Sequence, residues 1–205
     1  MQAVIDSARI EFIESTHTYL LDGRRVPSIT QALKVATYDQ FDHVDPAVLA
    51  QRAEEGERVH GLIEWIESGR FSVADCPADL LGIHDNWLEF KQATKLRVIA
   101  CEEIVASEKY RFAGRLDLLC EMDGDASTLH LIETKHTSSP PRSAGPQTAA
   151  QEIGLREMRD VGSVRIRRHT LHTRNRRFRL IPHTSADDRA TFLAALRVTH
   201  WREQA

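Results

Sequence analysis

Residues 115–135 read RLDLLCEMDGDASTLHLIETK and hold two apolar runs on either side of an acidic glycine turn. The runs predict two strands, over residues 110–122 and 128–136, which the turn at 123–125 folds into a hairpin. Alternate residues of a strand share a face, so Glu133 and Lys135 point the same way. In a hairpin of this kind Asp117 meets Glu133 on one face.

This arrangement predicts a metal site for phosphodiester chemistry. Two carboxylates this close repel each other unless a cation lies between them, and hard oxygen ligands suit Mg²⁺ or Mn²⁺. Asp117 and Glu133 would hold the metal, and Lys135 would orient a water or offset charge on the phosphorane. The triplet alone is not specific, because Glu89-Phe90-Lys91 repeats it. That copy lies on a predicted helix, where residues two apart diverge by about 200°.

The flanking sequence predicts a mixed α/β fold with a central sheet between helices. Upstream we expect strands over 9–13, 18–21, 25–26 and 98–107, a short helix capped by Ser28, a longer one opened by Asp45-Pro46, and a third over 84–96. Downstream we expect a helix from near Pro146, a hairpin of strands 163–171 and 176–181, and a last helix from about Ala186. The inward residues of that last helix are predicted to be Phe192, Leu193, Leu196 and Trp201.

Composition predicts one globular domain over residues 1–205. The chain has 41% hydrophobic and 28% charged residues, enough to bury a core without staples. Its parts would be an N-terminal hairpin with helices (1–97), a catalytic sheet with its helix (98–160), and a basic C-terminal hairpin with a helix (161–205). Three scattered cysteines, no signal-peptide pattern and no apolar run of membrane length predict a soluble cytoplasmic protein without membrane contact.

Charge is divided unevenly along the chain. Residues 156–205 carry twelve arginines against five acidic residues, whereas residues 1–155 are acidic overall. This asymmetry suits a polyanion partner, although solvated surface charge is the better explanation of this feature taken alone. Arginines alternate with apolar residues over 164–179, which indicates either a one-faced strand pair or a phosphate-binding patch.

The order of motifs resembles the PD-(D/E)xK nuclease superfamily, in its RecB-like and phage exonuclease branch. The matching text is residues 107–117 (SEKYRFAGRLD), 131–135 (LIETK) and Gln147. Upstream, residues 56–60 (GERVH) resemble the Gly-x-x-x-His helix motif, and residues 19–30 (YLLDGRRVPSIT) resemble the N-terminal segment of phage members. The resemblance covers residues 10 to 155 approximately and implies a restriction-endonuclease-like core.

The resemblance also implies roles for individual residues. Asp117 and Glu133 would be metal ligands with the carbonyl of Thr134, Lys135 the catalytic lysine, and His60 an additional ligand. An acidic ligand would precede the Asp117 strand, with Glu102 favoured by spacing and Glu103 as the alternative. Gln147 would begin a Gln-x-x-x-Tyr helix motif, in which Gln151 stands at the tyrosine position. The predicted nucleic-acid contacts are Ser28, Thr30, Arg115, Gln147 and Gln151.

Ser28 and Thr30 lie at the predicted start of a helix, where they could bind a phosphate. The plain interpretation is that they are ordinary helix N-cap residues. The sequence as a whole predicts a DNA exonuclease that uses Mg²⁺ or Mn²⁺ in phage-type recombination or DNA repair. Its partners would be DNA and a recombination protein, and an oligomer is left open. Two alternatives remain: a catalytically idle DNA-binding or assembly module with the same fold, and a structure-specific endonuclease.

Overall fold

The computed structural model describes residues 5–37, 44–137, 139, 141–174 and 177–203. These residues form two sheets, one of three strands and one of five, with helices packed around them. The architecture is therefore mixed α/β, as the sequence predicted. The strand predicted over 176–181 begins at residue 176, which lies outside the described ranges. Residues 138 and 140, in the predicted loop before the helix near Pro146, also lie outside them.

The small sheet is an antiparallel meander of β1 (Ile10–Ile13), β2 (Thr18–Leu21) and β3 (Arg24–Val26). Its β2–β3 turn has Asp22 and Gly23 at φ 53° and 69°, which is the left-handed pair that a tight hairpin turn requires. Helix α1 (Ile29–Leu33) follows at once. Its N-cap Ser28 accepts a hydrogen bond from the backbone of Gln31, whose side chain accepts one from Ser28 N.

Helices α2 (Pro46–Glu67) and α3 (Leu81–Thr94) form the next unit. Asp45 caps α2 as predicted, and the buried residues Val59, Leu62 and Ile63 all lie in its second half. Helix α3 begins three residues before the predicted start. No side chain caps it, and a 3-10 turn over Ala78–Leu80 leads into it directly, so the sequence carries no start signal there. It ends where Lys95 adopts φ 49°.

The large sheet has the order β4-β5-β6-β7-β8, comprising Arg97–Ser107, Phe112–Met122, Asp125–Lys135, Arg165–His172 and Arg179–His183. The β6–β7 pair is parallel and the other pairs are antiparallel. Parallel neighbours need a crossover. Helix α4 (Ala144–Met158) makes it.

Helices cover both faces of this sheet. On one face α1, α4 and α5 (Asp187–Glu203) enclose a core that includes Phe112, Leu116 and Leu131, and on the other α2 and α3 pack on Leu118 and Ile132. Helix α4 lies so close to β4 that a Cβ on Gly154 would be 3.0 Å from Ala106 N.

The inward placement predicted for Trp201 is wrong. Its side chain is 70% exposed, whereas Phe192 and Leu196 are buried against the sheet. The nine residues from Phe192 to Trp201 turn the helix by about 180° at 100° per residue, so the indole lies on the opposite side.

Candidate metal centre

Strands β5 and β6 separate at the site. Their backbone pairing ends at Leu118 and Ile132, just before Asp117 and Glu133. Beyond that point, backbone groups of the two strands bond to side chains instead of to each other. Thr134 N donates to Asp117 Oδ2 at 2.6 Å, and Gln151 Nε2 donates to Arg115 O at 3.0 Å. The gap between the strands is thus bridged by side chains of the site itself.

Three potential metal ligands converge beside this gap. His60 Nδ1 lies 3.4 Å from Asp117 Oδ2 and 3.8 Å from Glu102 Oε1. One ligand atom from each of the three residues lies within 4.8 Å of the other two. The three side chains come from α2, β5 and β4, so the centre exists only because helix and sheet pack together.

Glu102, not Glu103, faces this centre. Glu103 turns away, and its carboxylate binds the guanidinium of Arg159 at 2.6 and 3.0 Å. Glu102 adopts φ 53° within a strand, a conformation that a non-glycine residue rarely takes without a compensating constraint. This kink carries the carboxylate toward His60.

The imidazole of His60 has a defined orientation. Its Nε2 lies 2.9 Å from Thr134 O, and because a carbonyl only accepts, Nε2 carries a hydrogen. Nδ1 then faces two carboxylates. Burial lowers the pKa of His60, but the charges of Asp117 and Glu102 outweigh it and raise that pKa above its ordinary value. A proton on Nδ1 satisfies this arrangement, and so does a divalent cation between the three groups.

The surroundings of the buried Asp117 carboxyl raise its pKa. Burial raises its pKa, and the nearby charge of Glu133 raises it further. Cation binding relieves both effects. The oxygen-rich donor set with one imidazole therefore fits Mg²⁺ or Mn²⁺.

Glu133 lies next to the group of three, and other side chains hold it. Its Oε1 accepts hydrogen bonds from Lys135 Nζ and Gln147 Nε2, and its Oε2 accepts one from Gln151 Nε2, all at 2.6 Å. Burial lowers the pKa of Lys135, but Glu133 and Asp117 more than restore it, so the ammonium stays protonated. The structure thus brings all the predicted catalytic residues together, and it also gives Glu133 two amide donors, Gln147 and Gln151, that the sequence did not indicate.

A cavity of about 200 Å³ opens beside Asp117 and Glu102. Its lining includes four of the five residues predicted to contact nucleic acid, namely Ser28, Thr30, Arg115 and Gln147. The guanidinium of Arg115 lies 5.0 Å above the ring of Phe12 and 3.6 Å from Glu102. Ser28 serves as an N-cap here, which agrees with its plain interpretation.

Sequence reasoning missed four of the residues that line the cavity, two of which carry aromatic rings. His17 and Tyr19 also line this space, and their rings are in edge contact. Tyr19 carries a weak signal, since it is a buried residue that alternates with half-buried positions on β2. His17 carries none, because it lies in the β1–β2 connection, where a left-handed φ of 48° and no strand pattern sets the direction of its exposed side chain.

Gln151 does not line the cavity. It is completely buried, so the contact with nucleic acid predicted for it is not available in this structure. Sequence alone does not show that α4 is buried along most of its length.

The arginines of residues 164–179 do not form one patch. Arg165 and Arg167 are exposed, but Arg168 is held in ion pairs with Asp188 and Glu152. Arg176 lies outside the described residues. Arg165 and Arg167 flank Ile166, which packs against the core, so this part of the run fits the one-faced strand, and the phosphate-binding patch stays a prediction.

No known family model and no curated protein matches this sequence. Among solved structures, the crystal structure of SSO0001 is similar over 83% of this chain and 84% of that one, with 14% identity and a TM-score of 0.36. A likeness this low carries no argument. Across the described ranges, no helix combines the length and apolar character needed to cross a membrane.

Proposed function

We propose that this protein is a divalent-metal-dependent deoxyribonuclease of the PD-(D/E)xK type, acting as an exonuclease in recombination or repair. The observation that carries the proposal is the convergence of His60, Glu102 and Asp117 on one point, with the Glu133–Lys135 ion pair beside it. Three free cysteines suit a reducing compartment, so we place its action in the cytoplasm.

The proposed chemistry divides between the metal and the chain. A bound Mg²⁺ or Mn²⁺ would polarise the phosphodiester and lower the pKa of a water. His60, Glu102 and Asp117 would hold it, with Glu133 as a further ligand. Lys135, protonated and tethered to Glu133, would place positive charge where the phosphorane develops.

The adjoining cavity gives the substrate a place to bind. Arg115 carries positive charge into a space that also holds the hydroxyl of Thr30 and the amide of Gln147. Charge-assisted donors of this kind bind phosphate oxygens.

The test is DNA cleavage by the purified protein with Mg²⁺ or Mn²⁺. We expect degradation of end-labelled linear DNA, and we expect K135M to lose at least 100-fold in rate while K109M, on an exposed turn, keeps the parent rate. Parent protein that leaves DNA intact with both metals overturns the function. Cutting of closed circular DNA at a similar rate identifies an endonuclease instead.

A second candidate is a catalytically idle DNA-binding module. The observation that favours it is the engagement of both Glu133 oxygens by donors from the chain. Tight metal-independent DNA binding without hydrolysis would select this candidate.

A further inference from the structure

The amide of Gln151 bridges the two strands that separate at the site. Its nitrogen donates to Arg115 O on β5 and to Glu133 Oε2 on β6, at 3.0 and 2.6 Å. Both partners are acceptors only, so the amide cannot be flipped without losing both bonds. Its own oxygen is buried and has no hydrogen-bond partner among the described residues. A buried acceptor without a partner lowers the stability of the fold, so the bridge is kept in spite of a loss of stability.

Glu133 shows what the bridge achieves. A carboxylate offers about four lone-pair positions, two on each oxygen. Oε1 uses both for Lys135 and Gln147, and Oε2 uses one for Gln151. One position on Oε2 is left, and it is the only one with which Glu133 can bind a cation without losing one of these bonds.

We infer that Gln151, assisted by Gln147, is a positioning residue that presents Glu133 to the metal as a ligand through a single oxygen, Oε2. The inference rests on the proposed function, because it concerns the same metal centre. Gln151 acts through Glu133 and is completely buried, so it makes no contact with DNA. It also ties Glu133 to the backbone of β5, two residues before Asp117, and thereby sets the separation of the two carboxylates.

The substitution Q151M tests this inference, because methionine matches the length of glutamine but donates no hydrogen bond. Residues that orient metal ligands typically contribute 10- to 100-fold in metal affinity or activity. We therefore expect the Kd for Mn²⁺, measured by calorimetry without DNA, to rise by about 10-fold or more. The kcat at saturating Mn²⁺ should fall by a similar factor, whereas the KM for DNA should stay within about twofold of the parent value.

Thr148→Val is the matched control. Thr148 is a buried polar residue of the same helix, and its hydroxyl bonds Gly145 O instead of the site. T148V should leave the Kd for Mn²⁺ within about twofold of the parent value, which separates positioning of Glu133 from general disturbance of α4. If Q151M does not fold, Q147M removes a donor from Oε1 and should raise the same Kd.

Three results would overturn the inference. An unchanged Kd for Mn²⁺ in Q151M would show that the bridge is structural only. A lower Kd would show that the amides hold Glu133 away from the metal. A raised KM for DNA with normal metal binding would make Gln151 a substrate contact. Parent protein that binds Mn²⁺ but cuts no DNA overturns only the nuclease function, and the Kd then decides the positioning role alone.

Discussion

Glu102 and Glu103 are consecutive residues of β4, yet the carboxylate of Glu102 lies 3.8 Å from His60 while that of Glu103 binds Arg159 at 2.6 Å. Consecutive residues of a strand point to opposite faces, which accounts for this divergence, and Glu102 in addition has a φ of 53°. Strand β4 therefore carries two neighbouring glutamates, of which one belongs to the candidate centre and the other does not. They form a natural matched pair for experiment.

The first prediction uses this pair to detect metal binding through stability. A ligand at 100 times its Kd stabilises the folded state by about 2.7 kcal/mol, which for a chain of this size is a rise in Tm of about 5–10 °C. We expect Mn²⁺ to raise the Tm of the parent and of E103Q to this extent. E102Q should lose at least half of the rise, because a neutral amide replaces an anionic ligand. Differential scanning calorimetry with and without Mn²⁺ measures both.

E103Q breaks the ion pair with Arg159 and should lower the metal-free Tm slightly, since such partly exposed pairs contribute less than about 1 kcal/mol. Equal loss of the Mn²⁺ effect in both variants would remove Glu102 from the metal centre.

The second prediction concerns acid stability and the buried pair of His130 and His169. Their ring nitrogens lie 3.1 Å apart, and the rings stack. Burial lowers the pKa of His169 to about 4, with a further contribution from His130. Because this folded-state pKa lies below the ordinary value near 6.5, the unfolded chain takes up the proton first and stability is lost as the pH falls from 6.5 to 4.

The expected loss over this interval is up to about 3 kcal/mol in the free energy of unfolding. H169Q, which does not titrate, should flatten that slope in urea unfolding curves taken between pH 7 and 4.5. H17Q, at an exposed histidine, should keep the parent slope. A parent slope retained in H169Q would show that another group causes the acid sensitivity.

The third prediction compares two glycines. A Cβ on Gly114 would lie 2.5 Å from Ile29 Cδ1, and Ile29 is buried. G114A should therefore cost about 1–3 kcal/mol and push α1, with Ser28 and Thr30, away from the cavity. A Cβ on Gly61, in α2, would meet nothing within 4 Å, so G61A should instead stabilise the fold by about 0.5–1 kcal/mol. Urea unfolding measures both, and a G114A variant as stable as the parent would show that Ile29 can move aside.

The sequence predicted the parts of the site that follow from strand alternation and turn chemistry. The turn at 123–125 and the apolar runs beside it were enough to pair β5 with β6 and to place Glu133 and Lys135 on one side. The structure brings His60 to Asp117 as the resemblance implied, because the buried half of α2 packs against the same sheet.

Other features depended on packing that no local pattern encodes. The choice between Glu102 and Glu103 depends on which face of β4 meets His60 on α2, and spacing alone could only favour one of them. The two amide donors to Glu133 come from α4, which packs so closely on β4 that Gly154 leaves no room for a side chain. Trp201 was misplaced because an apolar residue near the end of a helix is not required to face the core.

The last prediction tests the cavity as the DNA-binding site. Arg115 lines it, whereas Arg111, in the turn that leads into β5, donates a hydrogen bond to Leu21 O and is not among the lining residues. The two side chains have similar exposure, 38% and 36%. Each phosphate contact contributes about one unit to the slope of log affinity against log salt concentration.

R115M should therefore weaken binding of a short fluorescent duplex, measured without Mg²⁺ or Mn²⁺, and reduce its salt slope by about one unit. R111M should leave the slope unchanged. The metal-free condition prevents cleavage, so the measurement reports binding whether or not the protein is a nuclease. If R111M lowers the slope as much as R115M does, DNA contacts the turn between β4 and β5 as strongly as it contacts the cavity, and the cavity is not its site.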